Sequence, residues 1–255
     1  MITNIARTLW TASLAVLILT ACTGKSRLGM ASEEGISKVK ELVRTHVDTG
    51  TNKIYRLVWA EDGDERKLDN ILTTVEIDYL DPESNDYSLT ISLKDGEFVA
   101  DGPLKSKRNI YSYEHSTPLD LDVLTTAEVQ RLVQEAHDLF LTQEDADKYE
   151  LKSVGKYHLY IPPVDKRNID LLQKRSDYKK EHSRTAIFFE LNFVKKDEQP
   201  EVKGRHTWTN YYISLLADEE WCRLYIPVCV NCDVALLSGK CHCVKVFVPI
   251  KNNQY

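Results

Sequence analysis

The chain has little glycine, and between Cys22 and Cys222 it has no cysteine at all. Its 10 glycines are spread along 255 residues, which leaves few places for the tight turns that cradle a phosphate or an oxyanion. No Gly-x-Ser-x-Gly elbow, no His-Glu-x-x-His zinc helix and no phosphate-binding glycine loop is present. The histidines, His46, His115, His137, His158, His182, His206 and His242, are scattered and set up no triad or ligand spacing. Asp62-Gly63-Asp64-Glu65 lacks the ligand pattern and closing glutamate of a calcium loop and reads as a turn. No linker rich in proline, glycine and serine divides the chain. The formal net charge of −6 disfavours a nucleic-acid partner.

What is present begins at the N-terminus. Residues 1–22 read MITNIARTLWTASLAVLILTAC, with Arg7 before an apolar run that ends at Ala21. The run is about a dozen residues, shorter than the roughly 20 needed to span a bilayer, and has the form of a secretory signal. Its end, Leu19-Thr20-Ala21-Cys22, resembles the lipobox of bacterial lipoprotein precursors. The resemblance covers these 22 residues only. It implies cleavage between Ala21 and Cys22, lipid attachment (diacylglyceryl and a fatty acyl chain such as palmitate) at Cys22, and residence in a membrane. Thr23, rather than Asp, after the cysteine implies sorting to the outer membrane, with the rest of the chain facing the periplasm. Removal of Arg7 with the signal leaves the remainder more acidic still.

The expected organisation is a signal peptide at 1–21, a lipidated tether at 22–31 and an α+β domain at 32–255. A division near 100–120 stays open, because Gly102-Pro103 and Lys105-Ser106-Lys107-Arg108 have loop character. A first helix begins at Ser32, carries Ile36, Val39, Val43 and Val47 at helical spacing, and has a stop at Gly50. Val75, Ile77 and Tyr79, then Tyr87, Leu89, Ile91 and Leu93, alternate with polar residues. With Tyr55, Leu57 and Trp59 before them and Phe98 and Val99 after, they predict an antiparallel meander with one wet face. A helix over 126–141 has a capping box at Thr125 and Glu128 and one apolar stripe from Val129 to Phe140. His137 falls near the edge of that stripe, as a surface residue. A charged helix is expected over 167–181, and further strands at 157–161, 187–193, 211–215, 224–228 and 244–248. The echo of Leu159-Tyr160-Ile161-Pro162 in Leu224-Tyr225-Ile226-Pro227 has poorly matching flanks and is read as chance. The expected fold is antiparallel sheet with two or three packed helices.

Five cysteines, Cys222, Cys229, Cys232, Cys241 and Cys243, crowd the last 34 residues. Folding 229–243 into a hairpin brings four thiols together. An oxidising compartment favours disulfides, nested as Cys229 with Cys243 and Cys232 with Cys241. The same four thiols also suit tetrahedral zinc, to which His242 is an optional addition; otherwise no cofactor is implied. Cys222, beside Trp221, is left over.

No catalytic residue stands out. A lipid-tethered, non-enzymatic protein that binds an envelope protein partner, in an immunity or assembly role, is therefore the leading expectation. An envelope hydrolase with dispersed catalytic residues, or a metal or redox protein built on the cysteines, are the alternatives.

Overall fold

The computed structural model describes residues 27–61, 68–142 and 146–196, and beyond these the strands 201–203, 206–208, 214–217, 222–228 and 244–247. Helix α1, Glu33–His46, begins where the Ser32 hydroxyl oxygen accepts the Gly35 N–H at 3.0 Å, with Glu33 and Glu34 at the positive end of its dipole. It stops earlier than Gly50. Asp48 takes over, accepting the Gly50 N–H at 3.0 Å and the Thr51 hydroxyl at 2.6 Å, a local turn that competes with helix.

Four strands follow as the expected antiparallel meander: β1, Lys53–Ala60; β2, Thr74–Leu80; β3, Asp86–Lys94; and β4, Glu97–Ala100. The short β5, Leu104–Lys105, pairs with the start of β3. Helix α2 spans Thr126–Leu141. The Glu128 N–H donates to the Thr125 hydroxyl at 3.2 Å, but Arg131 takes the Glu128 carboxylate at 2.9 Å. Only the forward half of the capping box is thus made. Strand β6, Tyr149–Tyr160, is followed by β7, Ala186–Lys195; β8, Glu201–Lys203; β9, His206–Trp208; β10, Ser214–Ala217; β11, Cys222–Val228; and β12, Val244–Phe247.

Between β6 and β7 the expected charged helix is broken. A 3-10 turn at Lys166–Asn168, α3 at Leu171–Lys174 and α4 at Ser176–Glu181 replace it. Asp165 caps the 3-10 turn, and Arg175 is extended (φ −132°, ψ 111°) between α3 and α4. With no buried residue in any of the three pieces, nothing pays for one continuous helix.

The strands form one antiparallel sheet in the order β12-β11-β10-β7-β6-β1-β2-β3-β4, with β5 also on β3 and β8-β9 apart as a ribbon. The fold is α+β. At its centre β1 and β6 run antiparallel, and each is preceded by a helix and followed by a meander. The helix-plus-meander unit therefore occurs twice. The Leu-Tyr-Ile-Pro echo does not trace this repetition, since one copy ends β6 and the other lies in β11, which are not equivalent places.

Rows of side chains cross the sheet. Leu89, Ile77, Leu57, Leu159 and Ile187 are successive register partners, as are Ile91, Val75, Trp59, Tyr157 and Phe189. Both rows belong to the core cluster that includes Val39 and Val43 of α1 and Val129 and Ala136 of α2, so both helices cover the same face. Residues 28–31, which composition assigns to the tether, are part of the fold. Met30 is 1% exposed, its N–H donates to Asn70 O at 2.8 Å, and its carbonyl accepts the Trp59 indole N–H at 3.1 Å.

Candidate binding face

The other face of the sheet carries Ser88, Asp78, Arg56 and Tyr160 as one row of register partners. A β-bulge between Ile54 and Arg56 adds Tyr55 to it. The extra residue re-aims the chain, so Ile54 enters the helix-side core while Tyr55, also buried, points its hydroxyl toward Asp86. The loop after β5 then folds across this end of the sheet. Tyr111 bridges Asp165, Ser112 N–H donates to Val164 O at 2.8 Å, and Leu119 N–H to Ile54 O at 2.7 Å. Lys53 holds the loop from below, donating to Tyr113 O at 2.8 Å and Ser116 O at 2.9 Å.

The face has a distinct electrostatic layout. The Arg56 guanidinium donates to Asp78 at 3.0 Å and to Glu76 at 2.8 Å, and the Ser88 hydroxyl donates to the second Asp78 oxygen at 2.6 Å. Each Asp78 oxygen thereby carries one hydrogen bond. Asp86 accepts the Tyr55 hydroxyl at 2.8 Å on one oxygen. Among the described residues no basic group forms an ion pair with it. Burial raises its carboxyl above the usual range, and the nearby Asp78 charge adds to that. Tyr55 is pushed well above the ordinary tyrosine range, first by burial and then by its bond to Asp86. Tyr111 is raised by burial and then by Asp86. The Tyr55 ring centroid is 5.9 Å from that of Tyr111 and 6.5 Å from that of Tyr160. His158, 5.6 Å from Tyr160, is held down to about 4 by burial and then by Arg56 and Lys156.

A second polar cluster lies at the opposite end of β1. Glu61 Oε1 accepts the Ser153 hydroxyl at 2.6 Å and the Asn192 amide at 3.1 Å, and Oε2 accepts the Asn70 N–H at 2.8 Å. All three side chains are buried, and burial raises the Glu61 carboxyl. Gly155 is required there, since a Cβ would stand 2.8 Å from the Asn192 amide nitrogen. The cluster ties the 68–72 segment, and through Asn70 the incoming residues 28–30, to the two central strands.

One hydroxyl meets one imidazole: Ser112 Oγ is 2.9 Å from His115 Nδ1. Ser112 is 6% exposed and also accepts the His115 N–H at 3.4 Å, the pattern of a local turn. A small hollow at the end of α1 is lined by Arg44, Asn52, Ile54, Pro118, Leu119 and Asp122.

Ala21 and Cys22 lie outside the described residues, as do Cys229, Cys232, Cys241, Cys243, His242 and the 62–65 turn. Cys222 opens β11, and Val228 and Val244 are register partners at the near ends of β11 and β12. The histidines do not converge. His46 ends α1, His206 opens β9, and His182 Nδ1 lies 2.7 Å from Pro162 O. His137 is not a plain surface residue: its half-buried ring stacks 6.1 Å from Phe193. Among the described residues no group of three or more His, Cys, Asp or Glu is placed to hold a metal, and no helix is long and apolar enough to cross a membrane. Sequence reading placed Tyr55 in the meander and gave Asp86 and Tyr111 no role at a site. No family model, no curated protein and no solved structure matches this chain.

Proposed function

We propose that this protein is a lipid-tethered, non-enzymatic binding module of the bacterial envelope, anchored through Cys22 in the outer membrane and facing the periplasm. Its protein partner docks at the end of the sheet built by the 81–86 turn, the 106–116 loop and the 161–167 segment. The observation that carries this reading is the polarity of the fold relative to the tether. The first described residues run beside Asn70 and Trp59, at the Ala60 end of β1. Only five residues lie between Cys22 and Leu28, so the six steps reach at most about 22 Å. Tyr55 and the loops around it stand at the other end of β1, about 16 Å further from the entry point along the strand. Loops held on a rigid sheet, away from the anchor, are where binding residues concentrate.

Cross-linked pull-down of the tagged full-length chain from its own envelope, with a Cys22→Ser variant in parallel, tests the proposal. One dominant stoichiometric partner, with the protein leaving the membrane fraction in the variant, supports it. Absence of any partner above background, or unchanged membrane association of the variant, overturns it. A neighbouring toxin and protection on co-expression would then specify an immunity role, and a permeability defect on deletion an assembly role.

A hydrolase reading draws on the Ser112–His115 contact. Its weakness is the burial of Ser112 and the local turn that already accounts for the geometry. Turnover of an ester, peptide or glycan substrate that Ser112→Ala abolishes would establish it.

A further inference from the structure

We propose that Asp86, with the rings of Tyr55 and Tyr111, forms a subsite for an organic cation, the lysine or arginine side chain of the docking protein. The proposal rests on the binding-module reading and names the chemistry of its partner. Asp86 is a half-buried carboxylate with one oxygen committed to the Tyr55 hydroxyl. A carboxylate withdrawn from water calls for a counter-charge.

Five of the chain's own cations on this side are engaged elsewhere, and among the described residues the exposed Lys107 and Arg108 form no ion pair with Asp86. Arg56 is shared by Glu76 and Asp78, and Lys53 is held by the Tyr113 and Ser116 carbonyls. Lys166 reaches Asn109, Arg167 pairs with Asp165, and the Lys105 ammonium sits 5.8 Å from the centroid of the Tyr87 ring. What surrounds Asp86 instead is aromatic. Tyr55 lies across the hydrogen bond, and Tyr111, half-exposed, packs at 55° to it. Tyr55 is buried and meets Asp86 through its hydroxyl, so the half-exposed Tyr111 ring is the one open to a ligand. An aromatic ring beside a carboxylate favours a weakly hydrated organic cation over a small, strongly hydrated metal ion. The second carboxylate, Asp78, adds negative potential but already has its counter-charge in Arg56, with Ser88 on its other oxygen. The position agrees with the charge, since this end of the sheet is the one remote from the tether.

The experiment is a titration of the full-length chain with n-butylammonium, and separately n-propylguanidinium, followed by backbone amide NMR. Sodium chloride at equal ionic strength is the control. Saturable shifts confined to Tyr55, Asp86, Tyr111 and their neighbours, absent with sodium, are expected. Asp86→Asn should weaken them at least about tenfold, the loss of one charge-assisted hydrogen bond. Tyr111→Leu, which keeps the carboxylate, should weaken them by a smaller factor. Unchanged dispersion elsewhere in each spectrum shows that the variants fold. Shifts that sodium reproduces, or that survive Asp86→Asn, overturn the subsite. The two proposals fail separately. A partner captured equally well by Asp86→Asn overturns the subsite and leaves the binding module; ammonium binding with no partner in the envelope does the reverse.

Discussion

Trp59 and Tyr157 stand directly opposite each other on β1 and β6, their ring centroids 4.9 Å apart and their planes inclined by 11°. The stack lies at the one pairing that joins the two helix-plus-meander units. Trp59 also donates its indole N–H to Met30 O at 3.1 Å, so the same side chain holds the incoming N-terminal segment. Trp59→Ala should destabilise the fold by about 3–5 kcal/mol, read from denaturant unfolding. Trp59→Phe should retain most of that stability while speeding amide exchange at Ala31 and Ser32, next to the freed carbonyl. Equal exchange in the two proteins would mean that the indole hydrogen bond does not hold the segment.

Glu61 makes stability depend on pH in a stated direction. Burial, the largest influence, lifts its carboxyl above the ordinary 4.5, and Asp69 reinforces this against the hydrogen bonds from Ser153 and Asn70. The folded state therefore holds the proton more tightly than the unfolded state does. That contribution is complete below the unfolded value and disappears as pH rises through the higher folded value. Glu61→Gln cannot titrate, so the stability of the natural protein relative to this variant should fall as pH rises from the ordinary 4.5 through the higher folded value. Paired urea midpoints across that range check it, and a flat or rising difference would contradict the burial argument.

Ser116 is buried and works in both directions: its hydroxyl donates to Ser112 O at 2.6 Å and accepts the Val164 N–H at 2.9 Å. It thus joins the loop bearing Tyr111 to the end of β6. Ser116→Ala leaves the buried Val164 N–H without its acceptor, while Ser112 O keeps the Ser116 N–H at 3.1 Å, at a cost of about 1–3 kcal/mol. Faster hydrogen exchange at Val164, with Trp59 and the core unaffected, is the expected signature. Unaltered exchange at Val164 would show the loop to be held by other bonds.

The cysteine-rich segment begins and ends between neighbouring strands, since Val228 of β11 is the register partner of Val244 of β12. Nested disulfides, Cys229–Cys243 and Cys232–Cys241, are the outcome expected of that register if the chain resides in the oxidising compartment proposed for it. Alkylation before and after reduction, with mass mapping, should find four thiols protected and Cys222 free. Four protected thiols that zinc chelation releases would assign the site to metal instead. Labelling of all five without reduction, and without bound metal, contradicts both arrangements.

The subsite and the pairing of the two units share a reason for escaping the sequence. Alternation in Val75–Tyr79 and Tyr87–Leu93, and the helical stripe of Val129–Phe140, are local patterns, so period alone placed those strands and α2. Strand β6 was legible only from Tyr157 onward, because Ser153, Val154 and Gly155 break the alternation, at the stretch where the strand shifts register twice against β7. The break of 167–181 into short turns was hidden as well, since charge density marks exposure and not continuity.

By itself the sequence determined the α+β class and the strands whose alternation is unbroken. The tertiary structure alone decided that β1 pairs with β6, that Tyr55 sits in a bulge, and that the 106–116 loop returns to lay Tyr111 beside Tyr55. These contacts join residues tens of positions apart. A short stretch of sequence records which face of a strand is apolar, but the choice of a distant partner is made by packing of the whole sheet, and only there do Asp86 and its tyrosines become neighbours.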